Sequence, residues 1–111
     1  MLIHWGSEKL KKDLENEEYL TSHYDKKVAK KVAQRLREIG GAPTYAQLPP
    51  ATGRHALREG KRFLCYAVDV PGVGEKRGKL RLLFKPYGMF SLENITTITE
   101  VIIIALKNYH K

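Results

Sequence analysis

Arg62-Phe63-Leu64-Cys65-Tyr66-Ala67-Val68-Asp69-Val70 is the stretch on which the fold turns. At the two-residue period of a β-strand it is apolar on both sides: Phe63, Cys65 and Ala67 fall on one, Leu64, Tyr66, Val68 and Val70 on the other. A strand that is apolar on both faces belongs in the interior of a sheet. Downstream, Pro71-Gly72-Val73-Gly74 opens a polar hairpin connection that reaches Gly78. The stretch from Lys79 to Lys85 then alternates, with Leu80, Leu82 and Phe84 one way and Lys79, Arg81, Leu83 and Lys85 the other. Residues 86–98 read as a longer loop. Thr99 to Leu106 is rich in β-branched residues and reads as a third strand.

Upstream the period changes to that of helices. Ser7 is placed to cap a helix through Asn16, with Leu10 and Leu14 one turn apart. Ser22-His23-Tyr24-Asp25 has the form of a capping box, and Val28, Val32, Leu36 and Ile39 follow it at helical spacing. Gly40-Gly41 and Pro43 end that helix. The first five residues form a short edge strand or extended chain. Residues 42–61, with Leu48-Pro49-Pro50, Gly53 and Gly60, read as a loop. The expected organisation is one domain over 1–111: a helical part at 1–41, a loop at 42–61 and a sheet part at 62–110. The class is α+β, an N-terminal helix pair packed on one face of a small, mainly antiparallel twisted sheet.

At 111 residues there is room for one core and no second domain. Twenty Lys and Arg against twelve Asp and Glu leave a formal charge of +8. Polyanions are the natural partners of such a body. The surplus sits in the sheet half: residues 1–42 carry a net +2 and the remainder +6. Lys26, Lys27, Lys30, Lys31 and Arg37 fall mostly off the apolar stripe of their helix and read as a solvated face. Lys79, Arg81 and Lys85 share one side of a strand, so the sheet face away from the helices is expected to be cationic and to suit a phosphate backbone. The single cysteine, Cys65, cannot make an internal disulfide, and the start, soon followed by charge, is not expected to act as a signal peptide. The apolar run Val101–Leu106 is too short to span a bilayer. A cytoplasmic protein without a membrane partner is expected.

His4, His23, His55 and His110 stand far apart in the sequence, and no His/Cys spacing suggests a metal site. No Gly-rich phosphate loop and no Ser-based nucleophile elbow is present. No metal or cofactor is expected. RNA cleavage needs fewer parts, because the substrate carries its own nucleophile, the 2′-hydroxyl. The protein must take that proton, stabilise the extra charge at phosphorus and protonate the leaving 5′-oxygen. His or Tyr can do the first and third tasks, Arg or Lys the second. The terminal Tyr109-His110 pair and the basic sheet face offer those groups.

Ile3-His4-Trp5, Leu10-Lys11-Lys12-Asp13-Leu14, Arg35-Leu36-Arg37-Glu38-Ile39, His55-Ala56-Leu57-Arg58-Glu59-Gly60, Tyr66-Ala67-Val68, Lys79-Leu80-Arg81-Leu82-Leu83-Phe84 and Asn108-Tyr109-His110 follow one another in a shared order and spacing. That order resembles the RelE/ParE toxin superfamily, most closely its HigB-type branch of plasmid maintenance killer proteins, over about residues 2–110. The resemblance implies a toxin of a toxin–antitoxin pair. Such a toxin is a ribosome-dependent, metal-independent mRNA endoribonuclease, silenced by an antitoxin of the helix-turn-helix type. Arg58 holds the place of a basic residue after a His-x-Leu stretch. Arg81 with Phe84 matches an Arg-x-x-Phe strand, and Asn108-Tyr109-His110 stands where the branch has Asp-Tyr-His. Asn108 departs from that pattern by removing a carboxylate that could orient His110. The connections at 71–78 and 86–98 are long for the family.

The expected site therefore has Arg81 stabilising the phosphorane with Arg58 assisting, Tyr109 and His110 sharing acid–base duties, and Arg54, Lys61, Arg62, Lys79 and Lys85 binding RNA backbone. The competing reading of Arg58 and Arg81 is an ion pair with Glu59 or Asp69. Tyr109 and His110 would point to opposite faces of a regular strand, so their convergence on Arg81 requires the chain to bend or fray after about Leu106. The alternative function is non-catalytic: a ParE-like inhibitor of a protein target such as DNA gyrase, or an inactive relative that still binds its antitoxin.

Overall fold

The computed structural model describes residues 1–71 and 79–109. The chain runs β1 (Leu2–Trp5), α1 (Glu8–Leu14), α2 (Glu17–His23), α3 (Lys26–Gly41), two 3-10 turns (Tyr45–Gln47 and Pro50–Thr52), β2 (His55–Glu59), β3 (Arg62–Val70), β4 (Lys79–Pro86), a third 3-10 turn (Ile95–Thr97) and β5 (Glu100–Tyr109). The strands form one sheet in the order β1-β5-β4-β3-β2. Pairing is antiparallel from β2 to β5, and β1 lies parallel to β5 at the edge. This is the expected α+β class, with helices packed on a mostly antiparallel sheet.

Two local expectations are corrected. The helical part holds three helices rather than two, because Asn16 begins a helix instead of ending one: its side chain accepts from the N–H of Tyr19 and caps α2. Asp25, not Ser22, caps α3 through the N–H of Val28 at 2.7 Å. The stretch 42–61 is not all loop. His55–Glu59 pairs with β3 and closes a hairpin at Gly60-Lys61.

One sheet face is covered. Val28, Val32 and Ile39 of α3 pack with Tyr66, Val68 and Val70 of β3, Leu82 and Phe84 of β4 and Val101 and Ile103 of β5. The opposite face carries Cys65, Ala67 and Leu83, with Leu57, Ile104 and Ala105 against them. Two bulges shift this alternation. Between Leu57 and Arg58 the β2–β3 register slips, so Phe63 leaves the Cys65–Ala67 side expected from its spacing and packs edge-on to Tyr66, ring centroids 4.8 Å apart. Between Leu83 and Phe84 the β4–β5 register slips past Ile104. Both Ile104 and Ala105 then lie on the second face.

Tyr45 ties the 3-10 region to the sheet by stacking on Tyr66 at 3.9 Å. Burial pushes its phenol up to about 12, against the opposing charge of Arg54. A folded-state value above the unfolded value of about 10 gives stability that is complete below pH ~10 and is lost as pH rises towards ~12. Urea midpoints should therefore fall over that range, and Tyr45→Phe should remove part of the fall. An unchanged alkaline slope in the variant would contradict this assignment.

Candidate nucleic-acid interface

The site is built on the sheet face that the helices leave open. Arg81 of β4 stands opposite Asp69 of β3 on one side and Lys107 of β5 on the other. Its Nε lies 3.4 Å from Asp69 Oδ1, and its side chain is 20% exposed. Arg81 is thus in the expected place on the open face but half-buried and ion-paired, which realises the competing reading with Asp69.

Asp69 is the hub. The same Oδ1 lies 3.1 Å from His55 Nε2. An ionised carboxylate only accepts, so in a neutral imidazole this contact selects the tautomer with its proton on Nε2 and its lone pair on Nδ1. Behind it, Arg35 of α3 is buried, donates Nε to the Asp69 carbonyl at 2.8 Å and holds Glu38 through a second 2.8 Å contact. Gly53, at φ 67°, presses on the carboxylate from β2's side: a Cβ there would stand 2.5 Å from Asp69 Oδ2. Only glycine meets both demands, and the carboxylate is held where it serves His55 and Arg81 together.

Around this hub the face is cationic. Lys85 and Lys107 are exposed. Both flank the buried Cys65, whose thiol is pushed up by desolvation while the two lysine charges draw it down. Lys107 was not among the expected RNA-binding residues. It follows from the β4–β5 register, which sets it opposite Arg81. In the sequence His55 stands far from every other histidine. Only the β2–β3 pairing, His55 opposite Ala67, brings it diagonally to Asp69.

The other expected residues divide. Arg58 does not join Arg81. After the bulge it stands opposite Phe63 with its guanidinium 5.9 Å from that ring, on the side of Tyr66. Arg54 donates to the Tyr45 carbonyl at 2.7 Å and sits over the Tyr45 ring at 5.1 Å, a structural placement beside the core rather than on the open face. Arg54 and Arg58 both draw down the Tyr66 phenol, which desolvation raises more strongly. Lys61 and Arg62 are exposed at the β2–β3 turn, where Arg62 approaches Glu59 at 3.7 Å. The backbone of Lys79 pairs with that of Tyr109. β5 runs on to Tyr109 without the bend expected after Leu106, because its ladder with β4 continues through Leu106, Lys107 and Asn108. The Lys79 and Tyr109 side chains, His110, and the hairpin connection at 72–78 lie outside the described residues.

Among the described residues no group of three or more His, Cys, Asp or Glu side chains is placed to hold a metal ion, and no helix is long and apolar enough to cross a membrane. No protein-family model matches the chain, and neither a curated protein nor a solved structure matches it.

Proposed function

We propose that the protein cleaves RNA on its open sheet face and acts as the toxin of a toxin–antitoxin pair, a metal-independent endoribonuclease that works on mRNA in the ribosome. The observation that carries this reading is one carboxylate, Asp69, with His55 and Arg81 both within 3.4 Å of it on a face that also exposes Lys85 and Lys107. The resemblance to HigB-type toxins supplies the ribosome, the antitoxin and the cytoplasmic setting.

In this mechanism Nδ1 of His55, oriented by Asp69, takes the 2′-hydroxyl proton. The 2′-oxygen attacks phosphorus and forms a 2′,3′-cyclic phosphate as the bond to the 5′-oxygen breaks. Arg81 stabilises the added negative charge through its guanidinium, a planar fork of N–H donors suited to phosphate. Protonation of the leaving 5′-oxygen falls to Tyr109 or His110, which the resemblance assigns to acid–base work. Lys85 and Lys107 bind flanking phosphates. Naked RNA is expected to be a poor substrate, since the ribosome completes the geometry.

Three cations on single-stranded RNA predict a slope of about −2 in log affinity against log salt, so raising salt from about 50 to about 200 mM should weaken binding roughly fifteenfold. Affinity that hardly changes over that range would count against docking on this face. The functional test is to induce the chain without an antitoxin and map transcript ends: new ends within translated messages are expected. In the second reading, a non-catalytic protein-binding inhibitor, the Arg81–Asp69 ion pair only braces the sheet. Toxicity without new transcript ends would establish that reading instead.

A further inference from the structure

The open face has a second feature that the cleavage reading does not use. At its β1 end the ring of Tyr87 packs on that of His4, centroids 4.1 Å apart and planes tilted by 33°. His4 belongs to the open face, because Ile3 and Trp5 on either side of it pack into the helix-side core. Its Nε2 is held by Glu100 Oε1 at 2.9 Å. Tyr87 is fixed as well: its N–H donates to the Glu100 carbonyl at 2.9 Å. The next residue, Gly88, has φ 78° and lies so close that a Cβ would meet Glu100 Oε2 at 2.8 Å.

A loop tyrosine anchored in this way has already lost most of its conformational freedom. It nevertheless keeps 44% of its surface in solvent, beside the exposed Met89 and Phe90 of the same loop. With one side of the ring on His4, the open part is turned outward. Lys85 stands two residues before Tyr87 and in the same row of the sheet as His4, through Ile102 of β5. Along β4, Lys85 is four residues from Arg81, roughly 13 Å at about 3.3 Å per residue. That is the span of a few nucleotides. A rigid, exposed aromatic ring beside a phosphate-binding cation is the arrangement by which proteins stack single-stranded bases.

We propose that the Tyr87–His4 ring pair is a base-stacking site for single-stranded RNA, taking a nucleobase that flanks the nucleotide bound at Arg81, with the intervening phosphate at Lys85. The proposal rests on the reading of the open sheet face as the RNA side. It adds a base-contacting subsite to a face otherwise read as contacting phosphate.

The test uses the full chain and short single-stranded 2′-O-methyl oligoribonucleotides, which cannot be cleaved. One series carries 2-aminopurine at successive positions, and a second carries an abasic unit at the same positions. At one position the protein should quench 2-aminopurine, and the abasic unit there should weaken binding about tenfold. Tyr87→Ala and Tyr87→Leu should abolish the quench and bind base-containing and abasic oligonucleotides alike, while Tyr87→Phe should behave as the parent. Arg81→Ala should lose cleavage on ribosomes yet keep the quench, which separates this proposal from the nuclease reading. Parent and Tyr87→Ala binding both oligonucleotides equally well would overturn the stacking site and leave the ring pair to a protein interface. Failure of the parent protein to bind either oligonucleotide at low salt would overturn it together with the RNA face.

Discussion

Replacing Arg81 or His55 by alanine is expected to lower the rate of mRNA cleavage about a hundredfold or more, the usual scale for one charge-stabilising or acid–base group. In the proposed mechanism the two residues act on different parts of the same step, one on the phosphorane and one on the 2′-hydroxyl proton. Both are positioned by Asp69. Arg81 is half-buried, so Arg81→Lys serves as a folded control that keeps the charge but not the planar fork. His55→Gln keeps a side chain able to donate to Asp69 and removes proton transfer. Each variant should stop toxicity while remaining folded and still bound by the antitoxin. His110→Ala should do the same if the resemblance assigns that residue correctly. If the double variant Arg81→Ala with His110→Ala stays fully toxic while folded, the nuclease assignment falls and the protein-binding inhibitor takes its place.

The second large effect concerns the strand that carries Arg81. Phe84 is fully buried on the helix side of β4, at the centre of the sheet, and packs near Tyr66 and Tyr45 with ring centroids 5.9 and 6.2 Å away. It also follows the bulge where β4 changes register against β5. Truncation to alanine removes a whole ring from a site that the surrounding strands cannot easily fill. A loss of about 3–5 kcal/mol is expected from the unfolding free energy in urea. For a domain of this size that is a large part of its total stability. A loss under about 1 kcal/mol would mean that Phe84 is not the packing centre of the sheet.

What the sequence reveals follows from how local the signal is. The alternation of Leu80, Leu82 and Phe84 and the doubly apolar run from Arg62 to Val70 need no knowledge of neighbours, and both strands lie where their periods put them. β2 is harder to see, since five residues between a Pro-rich loop and Gly60 carry little period of their own. Phe63 changes face because a bulge breaks the two-residue rule, and nothing in the spacing marks the bulge. The candidate site depends on pairing still more. His55 and Asp69 are fourteen residues apart, and their meeting is decided by the hairpin register. Lys107 becomes Arg81's neighbour only through β4–β5 pairing. Arg58 matches Arg81 by residue type and order, yet it follows Leu57 of the open face in β2 and so points to the other face, opposite Phe63.

The central claim is that the open sheet face cleaves RNA through His55 and Arg81. Its most direct test is incubation of the purified protein with ribosomes carrying a defined mRNA, followed by mapping of product ends at nucleotide resolution, for the parent and for folded His55→Ala and Arg81→Ala. The account predicts upstream fragments ending in 2′,3′-cyclic phosphate and downstream fragments beginning with a 5′-hydroxyl, formed without added metal by the parent and about a hundredfold more slowly by each variant. No cleavage by the parent, or equal cleavage by parent and variants, would contradict it.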